Sequence, residues 1–185
     1  MNIPSHLRLS AKLSSYFGLS ASERVKFMCG NIIPDITLSF LQCPHTPAEM
    51  SYSVMNEFCR QLDEANAGRR PNFMRFGILI HFFADFFCSV HNHSIGQMQQ
   101  FHYHYENCLE LLISELPLGR EMDMHPEQVM KFLISEHQNY LSEPFGLDRD
   151  IKYIPKVSTS VMSLMMECLR QQHPDSRMQT EVAHI

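Results

Sequence analysis

Residues 76–87 read Phe-Gly-Ile-Leu-Ile-His-Phe-Phe-Ala-Asp-Phe-Phe, the longest apolar run in the chain, broken only by His81 and Asp85. With Phe73 just ahead, the residues Phe76, Leu79, Ile80, Phe83 and Phe87 surround most of a helical circumference instead of marking one stripe. That is the pattern of a helix buried in the middle of a bundle. The run is well short of the ~20 apolar residues that a bilayer-spanning helix needs. It therefore predicts a core helix, opened by Pro71, around which the rest of the chain has to pack.

Outward from this run the chain is punctuated for helices and carries almost no strand signal. A first helix is predicted from Ser5, with Leu9, Leu13, Tyr16 and Phe17 at helical spacing up to Gly18. Ser20 and Glu23 form a capping box for a second, which Gly30 is expected to end in the left-handed conformation. Thr46, Pro47 and Glu49 supply cap, first-turn proline and box carboxylate for a helix reaching Ala67 before Gly68. Further helices are expected over 97–116, from Pro126 to before Pro144, and over 150–171 with a kink or break at Pro155. The fold class that follows is all-α: one multi-helix bundle over residues 1–173, with a polar tail over 174–185.

The 185 residues are 44% hydrophobic and 19% charged, an ordinary globular composition that excludes a disordered or collagen-like chain. A net charge of −5 argues against stable nucleic-acid binding, which needs a basic face. Met1 to Leu19 lack an apolar h-region and a small-residue cleavage site, so a cytoplasmic location is expected. The six cysteines include no C-x-x-C pair and read as buried free thiols.

Chemistry concentrates in the histidines, of which there are 11. Five of them, His81, His91, His93, His102 and His104, fall between positions 81 and 104. His81 and Asp85 stand four apart on one face of the apolar helix, where an unpaired carboxylate would be costly. His102 and Glu106 repeat the device on the next helix. Two helices each presenting a His and a carboxylate at i, i+4 are what a bundle uses to build a metal cluster in its interior, with ligand types that suit zinc. Were the helix to run on, His91 would lie ~9 Å along the axis from Asp85, far enough to serve a second ion; His93 is an alternative to it. Taken singly, the first pair reads equally well as a satisfied core pair and the second as a solvated helix face; their coincidence points to metal. His104, His125, His137, His173 and His184 read as surface residues.

These pieces resemble the zinc-dependent phospholipase C family, whose helical fold is similar to that of the fungal-type single-strand-specific zinc nucleases. Gly77 to Asp85 followed by His91-Asn92 is similar to the family's H-x-x-x-D and following His, and His102 through Glu106 to its H-x-x-x-E. Gly30-Asn31-Ile32-Ile33-Pro34-Asp35 is similar to a segment ending in a metal-binding Asp. His45 stands in the place of the next ligand, and Ser5-His6-Leu7 resembles the N-terminal His motif. The resemblance spans residues 5–107. It implies one zinc held by Asp35, His45, His81 and Asp85, a second held by His91, His102 and Glu106, and a third position with His6 and a bridging Asp85. Secreted family members complete that third site with the amino group and carbonyl of their first residue. Here either the Met1 amino group takes that part or the third position is left short of ligands.

The function implied is hydrolysis of a phosphate ester by metal-activated water, as in a phospholipase C-like phosphodiesterase, with Asp35 as general base and a substrate such as a phospholipid headgroup ester. The alternatives are a zinc nuclease or nucleotidase of the same fold and a non-catalytic helical metal-binding protein. Tyr103 and Tyr105 flank the second ligand pair and read as core or interface residues. Arg69, Arg70 and Arg75 read as a solvated helix junction.

Overall fold

The computed structural model describes residues 1–37, 47–92, 99–115, 117–119 and 124–172. His45, His93 and the tail over 174–185 lie outside the described residues. Among the described residues every regular element is helical, so the all-α reading holds. In chain order the helices are α1 (Ile3–Tyr16), α2 (Ala21–Ile36), α3 (Pro47–Asn66), α4 (Phe73–Phe86), the single turn α5 (Ser89–Asn92), α6 (Gln99–Glu115), α7 (Val129–Ser142) and α8 (Leu147–Gln172). A 3-10 turn at Pro126–Gln128 leads into α7.

The capping box expected on α2 is in place, whereas α1 and α4 start two residues away from Ser5 and Pro71, under caps from Asn2 and Asn72. Asn2 caps α1 by accepting from the Ser5 amide, and Ser20 with Glu23 closes a capping box on α2. Asn72 accepts from the Met74 and Arg75 amides at the start of α4. Gly18 and Gly68, with φ of +64° and +75°, end the helices before them in the conformation that only glycine adopts without strain.

Helix α4 is the hub. Every residue from Leu79 to Val90 is buried, and the helix packs most extensively on α2, with further contacts to α3 and α8. Phe76 and Phe83 meet Phe58 of α3, and Phe76 meets Phe27 of α2. Truncating one such fully buried ring costs ~3–5 kcal/mol. The position of α4 is therefore strongly determined.

Two helix boundaries differ from expectation. Gly30 does not end α2, which continues to Ile36. Its lack of a side chain serves packing instead: a Cβ there would lie 2.0 Å from the Met74 carbonyl oxygen of α4. The same holds for Gly77 on α4, whose Cβ would lie 2.2 Å from the Phe27 oxygen. Nor does Pro155 break α8, which is unbroken from Leu147 to Gln172. From Tyr153 to Met165 only Lys156 is not buried, and the core contact of this stretch outweighs the ~3 kcal/mol that an interior proline costs.

At the other end of α4 the helix stops at Phe86 and the chain turns into α5. The Asn92 amide donates to the Phe86 and Cys88 carbonyls, which satisfies oxygens that the helix end leaves free. This turn folds His91 back toward Asp85 and does not carry it onward along the axis.

Candidate metal centre

Five helices deliver the side chains. His6 comes from the buried stripe of α1, Asp35 from the last turn of α2, His81 and Asp85 from α4, His91 from α5, and His102 and Glu106 from α6. His6, His81 and Asp85 form one group and His91, His102 and Glu106 another; within each, the potential ligand atoms lie within 4.8 Å of one another. In the first group Asp85 faces both imidazoles, His6 Nε2 at 3.3 Å and His81 Nε2 at 3.3 Å, and the two rings stack at 3.9 Å. Asp35 stands 3.8 Å from His81 Nε2. In the second, Glu106 Oε1 is 3.0 Å from His102 Nε2 and 3.4 Å from His91 Nε2.

The groups share an edge. Asp85 Oδ1 is 3.7 Å from His91 Nε2, so this carboxylate touches both. Past the end of α4 at Phe86, the His91 ring reaches this carboxylate while keeping its expected place in the second group.

The orientation of His81 is fixed from behind. Its Nδ1 donates to the Asn31 carbonyl oxygen at 2.9 Å, and the Asn31 amide donates to the Gly77 carbonyl at 3.0 Å. A ring whose Nδ1 carries the proton presents a bare Nε2 lone pair to the site, the arrangement seen behind metal-binding histidines. The close approach of α2 and α4 at Gly30 and Gly77 is what brings the Asn31 carbonyl to that nitrogen.

At the junction of the two groups sits the amino group of Met1. It donates to Asp85 Oδ1, and lies 2.8 Å from His91 Nε2 and 3.2 Å from Glu106 Oε1. Burial alone would strip its proton, yet Asp85, with Cys88 and Glu106 behind it, holds its pKa well above the ordinary value. Burial alone would likewise raise Asp85, but His91, the amine, His81 and His6 hold it well below the usual carboxylate range. Glu106 is lowered against its burial by hydrogen bonds from His102 and His91. Burial pushes His6 down to about 3, and lowers His91 as well. These two rings are therefore neutral at pH 7, the form that ligates.

The amine does not satisfy the donor set. Both nitrogens of His6, His81 Nε2, Asp85 Oδ2 and Asp35 Oδ2 are buried without a hydrogen-bond partner. Orphaned polar atoms of this kind are rare in folded proteins. Three carboxylates, Asp35, Asp85 and Glu106, face a single ammonium, leaving an excess of negative charge beside the neutral rings of His6 and His91. Divalent cations bound through nitrogen and oxygen fit this set, and zinc takes such ligands.

A cleft of about 600 Å³ opens onto the second group, lined by Asp35, His91, His102, Tyr103, Glu106 and Glu110 together with Met1 to Pro4. The model of the family described as zinc-dependent phospholipase C matches residues 5–147. The chain belongs to this family. No curated protein and no solved structure matches it. Membership in the zinc-dependent phospholipase C family makes the chain a phospholipase-like hydrolase by class and zinc the metal its donor set serves.

Of the eight ligands anticipated from sequence, His6, Asp35, His81, Asp85, His91, His102 and Glu106 converge as described; His45 lies outside the described residues. The grouping places His6 beside His81 and Asp85. Tyr105 is buried, its hydroxyl donating to Asp150, whereas Tyr103 is 67% exposed at the cleft. Arg70 and Arg75 pair with Glu23 and Glu57, as a solvated helix junction should. His104 and His125 are exposed, but His137 is half-buried between Phe87 and Tyr140 rather than at the surface. Sequence reasoning did not single out Asn31 as the residue behind His81, nor Glu110 beside the cleft. Glu110 extends the His102, Glu106 face by one turn, a signal present in the sequence, whereas Asn31 is marked out only by the crossing of α2 and α4 at Gly30.

Proposed function

We propose that the chain is a zinc-dependent phosphodiesterase of phospholipase C type, acting on a small phosphate ester such as a phospholipid headgroup. The single observation that carries this reading is the set of orphaned imidazole and carboxylate atoms converging beside an open cleft. Asp35, His81, Asp85, His91, His102, Glu106 and His6 would hold the metal, with His45 added on the family resemblance. Zinc there supplies Lewis acidity toward phosphoryl oxygens and a lowered pKa for water.

The chain's own residues do the rest. Asp35 is the proton acceptor: it reaches the cleft, its Oδ2 is uncommitted, and burial raises its pKa above the ordinary carboxylate value, making it a stronger base. Glu106 and His102 fix one wall of the cleft, and the carbonyl of Asn31 holds His81 in its tautomer. Tyr103 offers an exposed ring beside the reacting end. Among the described residues the lining includes Asp35, Glu106 and Glu110 but no Lys or Arg, which suits one ester with a neutral or cationic headgroup better than a polyanionic strand.

The test is metal content by mass spectrometry for the wild type and His81→Ala, with hydrolysis of a chromogenic phosphodiester before chelation, after it, and after zinc is restored. The expected result is two or three zincs in the wild type, fewer in the variant, and activity that follows the metal. A protein that takes up zinc but hydrolyses neither a phospholipid nor a soluble phosphodiester refutes the catalytic reading; faster cleavage of single-stranded nucleic acid than of either ester transfers it to the nucleases.

A further inference from the structure

On the far side of α5 lies a second buried polar cluster that the hydrolytic reading does not use. Asp150, in the first turn of α8, is fully buried. Its Oδ2 accepts from the Ser89 amide at 2.8 Å and the Tyr105 hydroxyl at 2.9 Å. Its Oδ1 accepts from the Ser89 hydroxyl at 2.6 Å and the Tyr140 hydroxyl at 2.9 Å. All four acceptor positions of the carboxylate are thus filled. Its neighbour Arg149 donates to Ser89 Oγ and to the Tyr140 and Glu143 carbonyls, with its guanidinium 4.1 Å from the centre of the Tyr140 ring. The four donors to Asp150 come from α5, α6 and α7, so one side chain of α8 ties three other helices together.

Two of those attachments fall beside metal-centre residues. Ser89 opens the turn that carries His91 two positions later. Tyr105 immediately precedes Glu106 on α6. A hydroxyl anchored on one face of a helix fixes the rotation of that helix about its axis, and this rotation sets where Glu106 and His102 point. None of the four donors lies on α1, α2 or α4, which carry His6, Asp35, His81 and Asp85. Asp150 is also outside residues 5–147, the part of the chain that matches the family.

We infer that Asp150 is a positioning residue for one half of the metal centre, holding His91, His102 and Glu106 in register through Ser89 and Tyr105, with no hydrogen bond to the helices that place His6 and His81. The inference rests on the metal-centre reading for its zinc consequence, but its geometric content holds without metal. The test follows the histidine ring resonances of the full chain by NMR, first with chelator and then through a zinc titration. It compares the wild type with Asp150→Asn, and with Tyr105→Phe and Ser89→Ala, which each delete a single oxygen and keep the protein folded if Asp150→Asn does not. The expected result in chelator is that the His91 and His102 resonances move and broaden while those of His6 and His81 stay in place. In the titration the second group should bind zinc about tenfold more weakly, the lower end of what losing an outer-shell partner costs, with the first group unchanged. Equal loss at both groups, or none at either, would overturn the inference by making Asp150 an ordinary core residue. A wild type that takes up no zinc removes the metal-centre reading instead, and the chelator spectra still decide the positioning role.

Discussion

Replacing Gly30 by alanine tests whether the crossing of α2 and α4 sets the metal centre. An alanine Cβ would fall 2.0 Å from the Met74 carbonyl oxygen and 2.9 Å from its carbon. A relaxed carbon–oxygen contact is ~3.3 Å, so the helices must part by roughly 1.3 Å at this point. Both partners are backbone, and neither can turn aside. The His81 Nδ1 to Asn31 oxygen bond, at 2.9 Å, lies one residue from the strained position. Half of that movement takes it to about 3.5 Å, where a hydrogen bond is lost. Glycine to alanine inside a helix ordinarily stabilises by up to ~1 kcal/mol. Here overpacking of ~1–3 kcal/mol and a lost bond of ~1 kcal/mol act against it, for a net loss of ~2 kcal/mol. In a chain of this size that lowers the melting temperature by roughly 4–8 °C. Thermal unfolding with chelator reads the stability, and a zinc titration reads the site, which should weaken. Gly68→Ala is the control: it has φ of +75° with open space around it, so it should cost stability through strain without altering zinc uptake. A Gly30→Ala protein that melts at or above the wild-type temperature and binds zinc normally would refute the idea that this contact holds His81 in place.

Three more outcomes follow from the centre. In chelator, His6 is neutral when folded, with its pKa lowered to about 3 by burial, but it takes up a proton near pH 6.5 when unfolded, so its contribution is whole above ~6.5 and is lost as pH falls toward 3. Urea unfolding should show ~2 kcal/mol less stability from this group at pH 5.0 than at pH 7.5, a difference that His6→Gln removes; an unchanged pH slope in that variant would dismiss the assignment. Asp85→Asn leaves the buried Met1 ammonium with Glu106 as its remaining carboxylate, so the cost in the metal-free protein should fall short of the ~3–5 kcal/mol of a fully broken buried pair, at about 2 kcal/mol, read by the same unfolding experiment; a gain in stability contradicts the geometry. Extra residues joined ahead of Met1 replace an amine that could ligate after losing its proton by an amide that cannot, and crowd the buried space among Asp85, His91 and Glu106, so they should reduce zinc affinity about tenfold, whereas the same residues after Ile185 should not; equal affinities for the two fusions would show that the amine has no part in the centre.

Several features were legible in the chain because they depend on neighbours close in sequence. The capping box at Ser20, the glycine stops at 18 and 68, and the pairs His81, Asp85 and His102, Glu106 all follow from local capping chemistry and helical periodicity, which repeats every few residues whatever the tertiary fold. The extent of α2 and α8 was not legible, because Gly30 and Pro155 carry a local signal to stop that only packing overrides. The place of His91 past the core helix and beside His102 and Glu106 was legible, but its closeness to Asp85 was not. That closeness depends on where α4 ends, which Asn92 secures, and on the turn after it, which Asp150 holds through Ser89 from some sixty residues further along the chain.

By itself, then, the sequence determined that the chain is helical, that a phenylalanine-rich helix lies at its centre, and which imidazoles and carboxylates are available for a metal, since residue chemistry and i, i+4 spacing are local properties. Only the tertiary structure decided how those groups are divided, that Asp85 touches both sets, that the Met1 amine lies between them, and that the Asn31 carbonyl fixes His81. Each of these is a contact across tens of residues, the last made where the backbones of α2 and α4 approach too closely for any side chain at Gly30 and Gly77, and no local rule specifies where distant segments will meet.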